Sequence, residues 1–316
     1  MAISEGKQKY KPGTGEVWAF GGGKGGTGKS FLASSFAVAL AKSGKSVNIV
    51  DCDLGAPNLH TLFGISNPKK SLTDFFDRTD ELKDLLIKTG VKNLTLIPGD
   101  VQTLSSTKMK YFLLKKLYRQ IRAMQADYTL VDVGAGSNTN VLDTFLLADK
   151  MIAILNPDLL SMDNFYKFIK SVLYRKVTFA LKPYGFRDML DKIWSSRRKY
   201  KIKNIWDLLS WLMKNFPFTR NIIEKEVANF SVYFIINQTR NVVDIHQGEY
   251  IKSGFIKYLN LNVQYIGYVE YRPEIFRSVE AKRPFMVSHA NTQGGYDIET
   301  CLNNLLENKE ARLPKI

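Results

Sequence analysis

A glycine-rich segment near the start of the chain carries the residue types that bind phosphate. Residues 23–30 read Gly-Lys-Gly-Gly-Thr-Gly-Lys-Ser, which satisfies the pattern G-x-x-x-x-G-K-[ST]. Glycines let successive backbone N–H groups curl around phosphate oxygens, and the positive end of the following helix faces the same anion. We expect Lys29 to reach the β- and γ-phosphates of a nucleoside triphosphate, and Ser30 to hold Mg²⁺.

Three aspartates follow predicted buried strands. Asp51 and Asp53 come directly after one strand, and Asp132 lies at the end of the segment Tyr128–Val133. The carboxyl ends of parallel strands lie beside a phosphate loop, where ligands bind in such sheets. Carboxylates there can support hydrated Mg²⁺ and position water, which is much of what a phosphoryl-transfer site must do. Turn formation or capping is the alternative role for each of them.

The elements that must position these residues alternate between short apolar strands and helices. A helix is predicted from Ser30 to Ser43, closed by Gly44. The predicted strands are Val17–Phe20, Ser46–Val50, Leu94–Ile97, Tyr128–Val133, Met151–Leu155, Val232–Asn237 and Val263–Tyr268. This alternation predicts an α/β fold with a doubly wound, mostly parallel sheet and helices on both faces.

One segment interrupts the alternation. Nearly sixty residues separate the helix near Phe165–Leu173 from the strand at Val232, too many for a simple crossover. We therefore predict a helical insertion. The predicted division is a flexible N-terminal tail at 1–15, a first core part at 16–173, a basic helical insertion at 174–226, a second core part at 227–308 and a C-terminal tail at 309–316.

Composition narrows the classes of partner and site. The 45 Lys and Arg exceed the 30 Asp and Glu, so the net charge of +15 favours anionic partners. The two cysteines, Cys52 and Cys301, are far apart, so neither a disulfide framework nor an iron–sulfur cluster is expected. The three histidines are scattered, and residues 1–15 carry no apolar signal segment. These features predict a cytoplasmic protein.

The string Lys24-Gly25-Gly26-Thr27-Gly28-Lys29-Ser30 resembles the deviant Walker A motif of the MinD/ParA ATPase family. The resemblance implies ATP and Mg²⁺ as cofactors and a homodimer that forms with ATP. It implies that Lys24 crosses the dimer interface to the partner's phosphates. The predicted catalytic residues are Lys24, Lys29 and Asp53. The loop set predicted to bind nucleotide is Gly23, Lys24, Gly25, Gly26, Thr27, Gly28, Lys29, Ser30 and Phe31.

Other segments resemble the same family. By match, Asp51 supports the Mg²⁺ shell with Ser30 and Asp132, and Asp53 orients the attacking water. Leu155-Asn156-Pro157-Asp158 is similar to the family's N-P-E segment, and the segment from Phe234 to Arg240 is similar to its adenine-contacting N-x-x-R. Asn237 and Arg240 are therefore predicted to bind the base. The family usually carries Pro and Asp where this chain has Glu270 and Arg272, so the resemblance supports a triphosphate more strongly than adenine.

The segments 53–60 and 170–175 look most like FlhG-like members. Val133-Gly134, in place of the family's usual Thr-Pro, looks like the same branch, and the end of the chain is too polar for the basic amphipathic helix of MinD proper. This branch implies a slow ATPase switch that regulates the placement, number or partitioning of a cellular structure, with a protein partner as activator or cargo. A ParA-type DNA-partitioning ATPase is one alternative. An amidotransferase- or ligase-like biosynthetic enzyme is another.

The predicted insertion is basic and partly amphipathic. Between residues 172 and 225 there are 13 Lys and Arg against four Asp and Glu. An apolar helical stripe follows the basic cluster at 197–203, formed by Ile205, Leu208, Leu209, Leu212 and Phe216. Three roles fit this pattern: a lid packed on the core, a surface for an anionic membrane or a protein partner, and non-specific DNA binding. The predicted location is the cytoplasm, or peripherally the inner membrane or nucleoid.

Overall fold

A computed structural model describes residues 15–99 and 111–314, so the predicted N-terminal tail lies outside it except for Gly15. Eight strands form one sheet: β1 Glu16–Gly21, β2 Val47–Cys52, β3 Ile87–Lys88, β4 Leu94–Ile97, β5 Tyr128–Val133, β6 Lys150–Leu155, β7 Ser231–Thr239 and β8 Asn262–Glu270. Their order is β3-β4-β2-β5-β1-β6-β7-β8. Every pairing is parallel except that of β3 with β4. The predicted sheet is confirmed, and the short antiparallel strand β3 is an addition to it.

Thirteen α-helices lie within the described residues. They are α1 Lys29–Lys42, α2 Leu59–Leu62, α3 Leu72–Phe76, α4 Tyr111–Arg122, α5 Thr139–Phe145, α6 Leu159–Leu181, α7 Arg187–Ser195, α8 Ile205–Asn215, α9 Thr219–Ala228, α10 Val242–Leu259, α11 Pro273–Glu280, α12 Phe285–Ser288 and α13 Gln293–Glu307. Short 3₁₀ helices occur at Leu82–Leu85 and Lys182–Tyr184. The helices alternate with the strands as the sequence pattern predicts.

Both faces of the sheet are buried, because alternate residues of a strand point to opposite sides. In β1, Val17 and Ala19 belong to the core that includes α4, α5, α6 and α10, whereas Trp18 and Phe20 belong to the core under α1 and α13. The sheet order brings the carboxyl ends of β1, β2 and β5 side by side, with Asp51 paired to Asp132 in register. This edge therefore gathers the residues that the sequence selects for chemistry.

The range 174–226 contains the end of α6, helices α7 and α8, and all but the last two residues of α9. Four residues of the predicted apolar stripe on α8 are buried: Ile205, Leu208, Leu209 and Leu212. They belong to the same core cluster as Phe165 and Phe168 of α6. The apolar face of α8 is consequently packed against the protein, as in the packed-lid interpretation. The charged side chains that this range exposes are mainly basic.

No helix of the described residues has both the length and the apolar composition needed to cross a bilayer.

Candidate functional site

The loop between β1 and α1 is held in a conformation that only glycines adopt easily. Gly26 and Gly28 have φ angles of 76° and 92°, in the left-handed region. A Cβ on Gly28 would lie 2.1 Å from the Asn237 side-chain nitrogen, and one on Gly23 would lie 2.3 Å from the Asn164 carbonyl oxygen. The loop is thus clamped between neighbouring segments, and helix α1 begins immediately after it at Lys29.

Lys29 lies at the centre of the site with its side chain largely buried. Its Nζ donates a hydrogen bond to the Lys24 carbonyl oxygen at 3.3 Å. Burial lowers the pKa of Lys29, while the nearby charges of Asp132 and Asp53 raise it. A buried ammonium beside two carboxylates, at the positive end of a helix, is suited to binding phosphate oxygens. The structure therefore brings Lys29, Asp53 and Asp132 together.

Asp132 has the environment of a cation ligand. It is almost fully buried, and burial raises its pKa to about 7, while a hydrogen bond from Ser30 and the charge of Lys29 oppose that rise. Its Oδ1 atom is buried without a hydrogen-bond partner. The described residues hold no cluster of three or more acidic, His or Cys side chains suited to a metal. The buried Asp132 carboxylate and the Ser30 hydroxyl beside it are hard oxygen donors, which fit Mg²⁺.

Asp51 and Asp53 also organise the loop after β2. Asp51 is fully buried, and its two oxygens accept hydrogen bonds from the backbone of Asp53 and Leu59 at 3.1 and 3.0 Å. Burial and the Asp132 charge raise the pKa of Asp51. Asp53 Oδ1 accepts hydrogen bonds from the backbone N–H groups of residues 55 and 56, each at 3.2 Å. Both aspartates therefore have turn-forming contacts, and their metal and water roles stay predictions.

Lys24 points away from the buried part of the site. Its Nζ lies 3.2 Å from Asp158 Oδ1, and the two side chains are 37% and 46% exposed. Asp158 caps the N-terminus of α6 by accepting a hydrogen bond from the backbone of Ser161 at 2.9 Å. The Lys29 ammonium therefore lies inside this site, whereas the Lys24 ammonium lies at the surface.

A cavity of about 620 Å³ adjoins the phosphate loop. Its walls include the Ser30–Phe31 end of the loop, Asp53 and the segment Glu270–Arg272, in which Arg272 is ion-paired to Glu270. Helix α11 adds apolar side chains, among them Phe276. This size is typical of small-ligand pockets. Apolar side chains in the same cavity as a phosphate loop suit a nucleoside.

Of the two residues predicted to contact the base, the structure places one in the cavity wall. Asn237 lines the cavity and donates a hydrogen bond from Nδ2 to the Thr27 carbonyl oxygen at 2.9 Å. Arg240 is exposed, with its guanidinium 5.1 Å from the centre of the Tyr271 ring. Asn237 thus braces the phosphate loop, and base contact by either residue stays a prediction.

Sequence reasoning missed several residues of the site. Gln238, in the cavity wall, has a φ of 63° beside a register shift between β7 and β8. The sequence marks Asp158 as part of a segment but gives no sign that it is the partner of Lys24. Helix α11 was missed as a cavity wall, although Pro273 at its start is a common helix-initiating signal.

Comparisons with known proteins agree with this geometry. The model of the CobQ/CobB/MinD/ParA nucleotide binding domain matches residues 18–285. An uncharacterized ATP-binding protein of Methanocaldococcus jannaschii is 30% identical over 151 residues, covering 48% of this chain and 56% of that protein. The antiactivator FleN of Pseudomonas aeruginosa is 30% identical over 157 residues, covering 49% and 55%. The chain thus spans about half the length of these relatives.

The solved structure of the septum site-determining protein MinD with Mg-ADP from Pyrococcus horikoshii has the same fold. It aligns with a TM-score of 0.63 and 17% identity, over 92% of this chain and 95% of that one. The family model covers most of the chain, and the phosphate loop, the three aspartates and the sheet order lie within it. The chain belongs to the MinD/ParA family of P-loop ATPases.

Proposed function

We propose that the protein is an ATP-dependent switch that dimerises around Mg-ATP, hydrolyses it slowly and regulates the placement, number or partitioning of a cellular structure, as in the FlhG/MinD-like branch. We place it in the cytoplasm, where a peripheral surface can recruit it. The FleN relative supports this branch, since it is described as an antiactivator. The partner or cargo is a protein.

The placement of Lys24 carries the dimerisation proposal. A lysine that served only its own site would lie with Lys29, but Lys24 forms an exposed ion pair with Asp158 instead. Exposed ion pairs contribute about 0–1 kcal/mol, so exchanging Asp158 for a partner's phosphate costs little. A triphosphate offers several negative oxygens, so the exchange favours a dimer only when that ligand is present.

The surface around this ion pair is also suited to association. Leu159 and Leu160, immediately after Asp158, are 81% and 68% exposed. Two large apolar side chains beside a lysine that can change partners are typical of an interface that forms conditionally. We therefore place the dimer contact on the start of α6 and the phosphate loop.

The catalytic proposal assigns roles to residues of this chain. Lys29 binds and neutralises phosphate oxygens, and the oxygen of Asp53 that does not accept the loop hydrogen bonds orients the attacking water. A Cβ on Gly134 would lie 2.9 Å from Asp53 Oδ1, so Asp53 lies against the segment after β5 that would contact the γ-phosphate. Ser30 and Asp132 would hold Mg²⁺, with Asp51 in its outer shell, and the ion supplies charge neutralisation at the β- and γ-phosphates.

Light scattering after size-exclusion chromatography tests the proposal. The wild-type chain, 36.0 kDa as a monomer, should double in mass with Mg²⁺ and a slowly hydrolysed ATP analogue, but not with ADP. Lys29→Ala should lose nucleotide binding by calorimetry. Lys24→Ala should bind nucleotide and stay monomeric. Lys45→Ala, which removes an exposed lysine beyond the far end of α1, is the matched control. A Lys24→Ala variant that dimerises like the control would remove the proposed role of Lys24.

A second candidate function is ParA-type DNA partitioning, favoured by the exposed cluster Arg197, Arg198 and Lys199 after α7. Because the apolar face of α8 is buried, this cluster can hold DNA or an anionic membrane by charge only. Binding should therefore weaken steeply with salt. Co-sedimentation of the wild type and of a variant with these three residues changed to Glu, with DNA or anionic vesicles, separates the two candidates. ATP-dependent retention of DNA that the variant loses would favour partitioning.

A further inference from the structure

A second cavity lies between the ATPase core and the 174–226 segment. Its volume is about 590 Å³, close to that of the nucleotide cavity. One wall is the middle of α6, including Lys170 and Tyr174, and the opposite wall is Trp194 of α7 with the segment 203–205. Ser137 and Thr139, from the segment after β5, complete it. The size suits a small organic ligand rather than a protein segment.

The lining is strongly basic. Lys167, Lys170, Arg175 and Lys203 line the cavity against one carboxylate, Asp191. Arg175 is held by Asp143 through two hydrogen bonds of 2.6 and 2.8 Å, so its position is fixed and its charge is compensated. Lys167 is exposed and ion-paired to Asp163. Lys170 and Lys203 are therefore the cations that a ligand can engage.

Lys170 is a half-buried cation for which the described residues provide no salt bridge. Its Nζ lies 4.3 Å from the centre of the Tyr166 ring, and the side chain is half-buried. Burial is the largest influence on its pKa and lowers it, while the charge of Asp163 raises it. The described part of the chain gives Lys170 no salt bridge, unlike Lys167 one helical turn earlier. An anionic ligand would compensate this partly desolvated charge.

The cavity also has an aromatic side. The rings of Tyr174 and Trp194 lie 5.9 Å apart, and the Tyr174 hydroxyl donates to Asp191 at 3.2 Å, which fixes that ring. Trp194 is half-buried. Aromatic faces of this kind stack against flat rings, while nearby cations bind phosphate. These two features fit a ligand that carries both a flat ring and a phosphate group.

We propose that this cavity binds a phosphorylated small molecule with a flat ring, of mononucleotide size, with its phosphate at Lys170 and Lys203 and its ring against Trp194. The two cavities share one segment of backbone. Ala135 lines the nucleotide cavity, and Ser137 and Thr139 line the second one. The backbone N–H of Gly136 donates to the Gly22 carbonyl oxygen at 3.1 Å, which ties this segment to the start of the phosphate loop. The occupant therefore modulates nucleotide affinity, and this coupling rests on the proposed ATP switch.

Calorimetry with phenyl phosphate as the probe tests the binding site. The measurement is made in the Lys29→Ala variant, so that the phosphate loop does not contribute and the result does not depend on the proposed switch. Lys170→Gln and Trp194→Ala should each weaken binding at least tenfold. Lys192→Gln, which changes an exposed lysine of α7 outside the cavity, is the control. Equal affinity in all of these variants, or no binding at all, would overturn the proposal.

Pyridoxal phosphate offers a second readout that reports the lysine directly. Its aldehyde condenses with an unprotonated lysine amine, releasing water, and added borohydride delivers hydride to reduce the C=N bond to a stable amine. With Mg-ADP saturating the wild-type nucleotide site, peptide mass spectrometry should find Lys170 labelled ahead of Lys192, with phenyl phosphate protecting it. Protection of neither lysine would count against the site.

The coupling has its own measurement. Phenyl phosphate should shift the ATP affinity of the wild-type protein at least threefold and leave that of Lys170→Gln unchanged, since linkage between two sites is reciprocal. An unchanged ATP affinity in the wild type would refute the coupling.

Discussion

Replacing Asp132 by Asn should stabilise the nucleotide-free protein at alkaline pH, although it removes a proposed ligand for Mg²⁺. Asp132 is buried, and its folded-state pKa is about 7 against an ordinary value of 3.8. Between these values the unfolded chain releases the proton while the folded chain retains it. The free energy of unfolding therefore falls as pH rises through this window, and stays level above pH 7.

The magnitude follows from the same shift. Each pKa unit corresponds to about 1.4 kcal/mol, and the rise levels off near the folded-state pKa, so the penalty from Asp132 grows by about 2 kcal/mol between pH 5 and pH 7 and by about 2–3 kcal/mol between pH 5 and pH 8. A neutral asparagine side chain at this position would carry no such penalty. Removing the charge also relieves Asp51, whose pKa the Asp132 carboxylate raises. The free energy of unfolding of Asp132→Asn minus that of the wild type should therefore be about 2–3 kcal/mol larger at pH 8 than at pH 5.

Urea unfolding in EDTA at pH 5 and pH 8, followed by circular dichroism, measures this difference. Asp127→Asn is a suitable comparison, because Asp127 is exposed and hydrogen bonds from Ser46 lower its pKa, so its carboxylate is ionised at both pH values and its contribution should not change between them. If the stability difference between wild type and Asp132→Asn is the same at both pH values, Asp132 is not a buried charge and the reasoning fails.

Gly28→Ala should abolish nucleotide binding, because its Cβ would lie 2.1 Å from the Asn237 side-chain amide. Gly26→Ala shares the left-handed backbone but its Cβ meets nothing within 4 Å, so it should lose only about 1–2 kcal/mol of stability. Calorimetry and thermal unfolding of the two variants make this comparison. Leu209→Ala should lower the free energy of unfolding by about 2–5 kcal/mol, since Leu209 is fully buried in α8 and its truncation leaves a cavity. Its ATP affinity should be unchanged. Ser210→Ala, which changes an exposed neighbour, is the control for the denaturation measurement. Asp53→Ala should bind ATP and dimerise but not turn it over, and phosphate release at the wild-type rate would leave Asp53 with its turn-forming role only.

The sheet and the phosphate loop follow from local sequence signals. Buried strands such as Tyr128–Val133 are short apolar runs, and the loop between β1 and α1 is a dense local motif. Strand β3 has only two residues, Ile87 and Lys88, too few for any alternation to be visible. The predicted start of the insertion, at residue 174, falls inside α6, because apolar positions continue the helix to Leu181.

The contacts that distinguish Lys24 from Lys29 have no local signal. Lys24 meets Asp158, 134 residues later, and Asn237 meets Thr27, 210 residues earlier. Only the fold brings such pairs together. The same holds for the second cavity, whose basic residues come from α6 and from the 203–205 segment. The sequence pattern identifies the positive charge of that region. It does not show that these residues enclose a cavity.

Complementation between two inactive variants tests the central claim most directly, namely that Lys24 of one protomer serves ATP bound by the other. Lys24→Ala retains Asp53 but cannot supply the lysine, and Asp53→Ala supplies the lysine but cannot position water. A mixed dimer would contain one complete site, formed by the Lys24→Ala protomer's own Asp53 and its partner's lysine. The account predicts that phosphate release, negligible for each variant by itself, reappears when they are mixed with Mg-ATP. A mixture no more active than the two variants measured separately would contradict it.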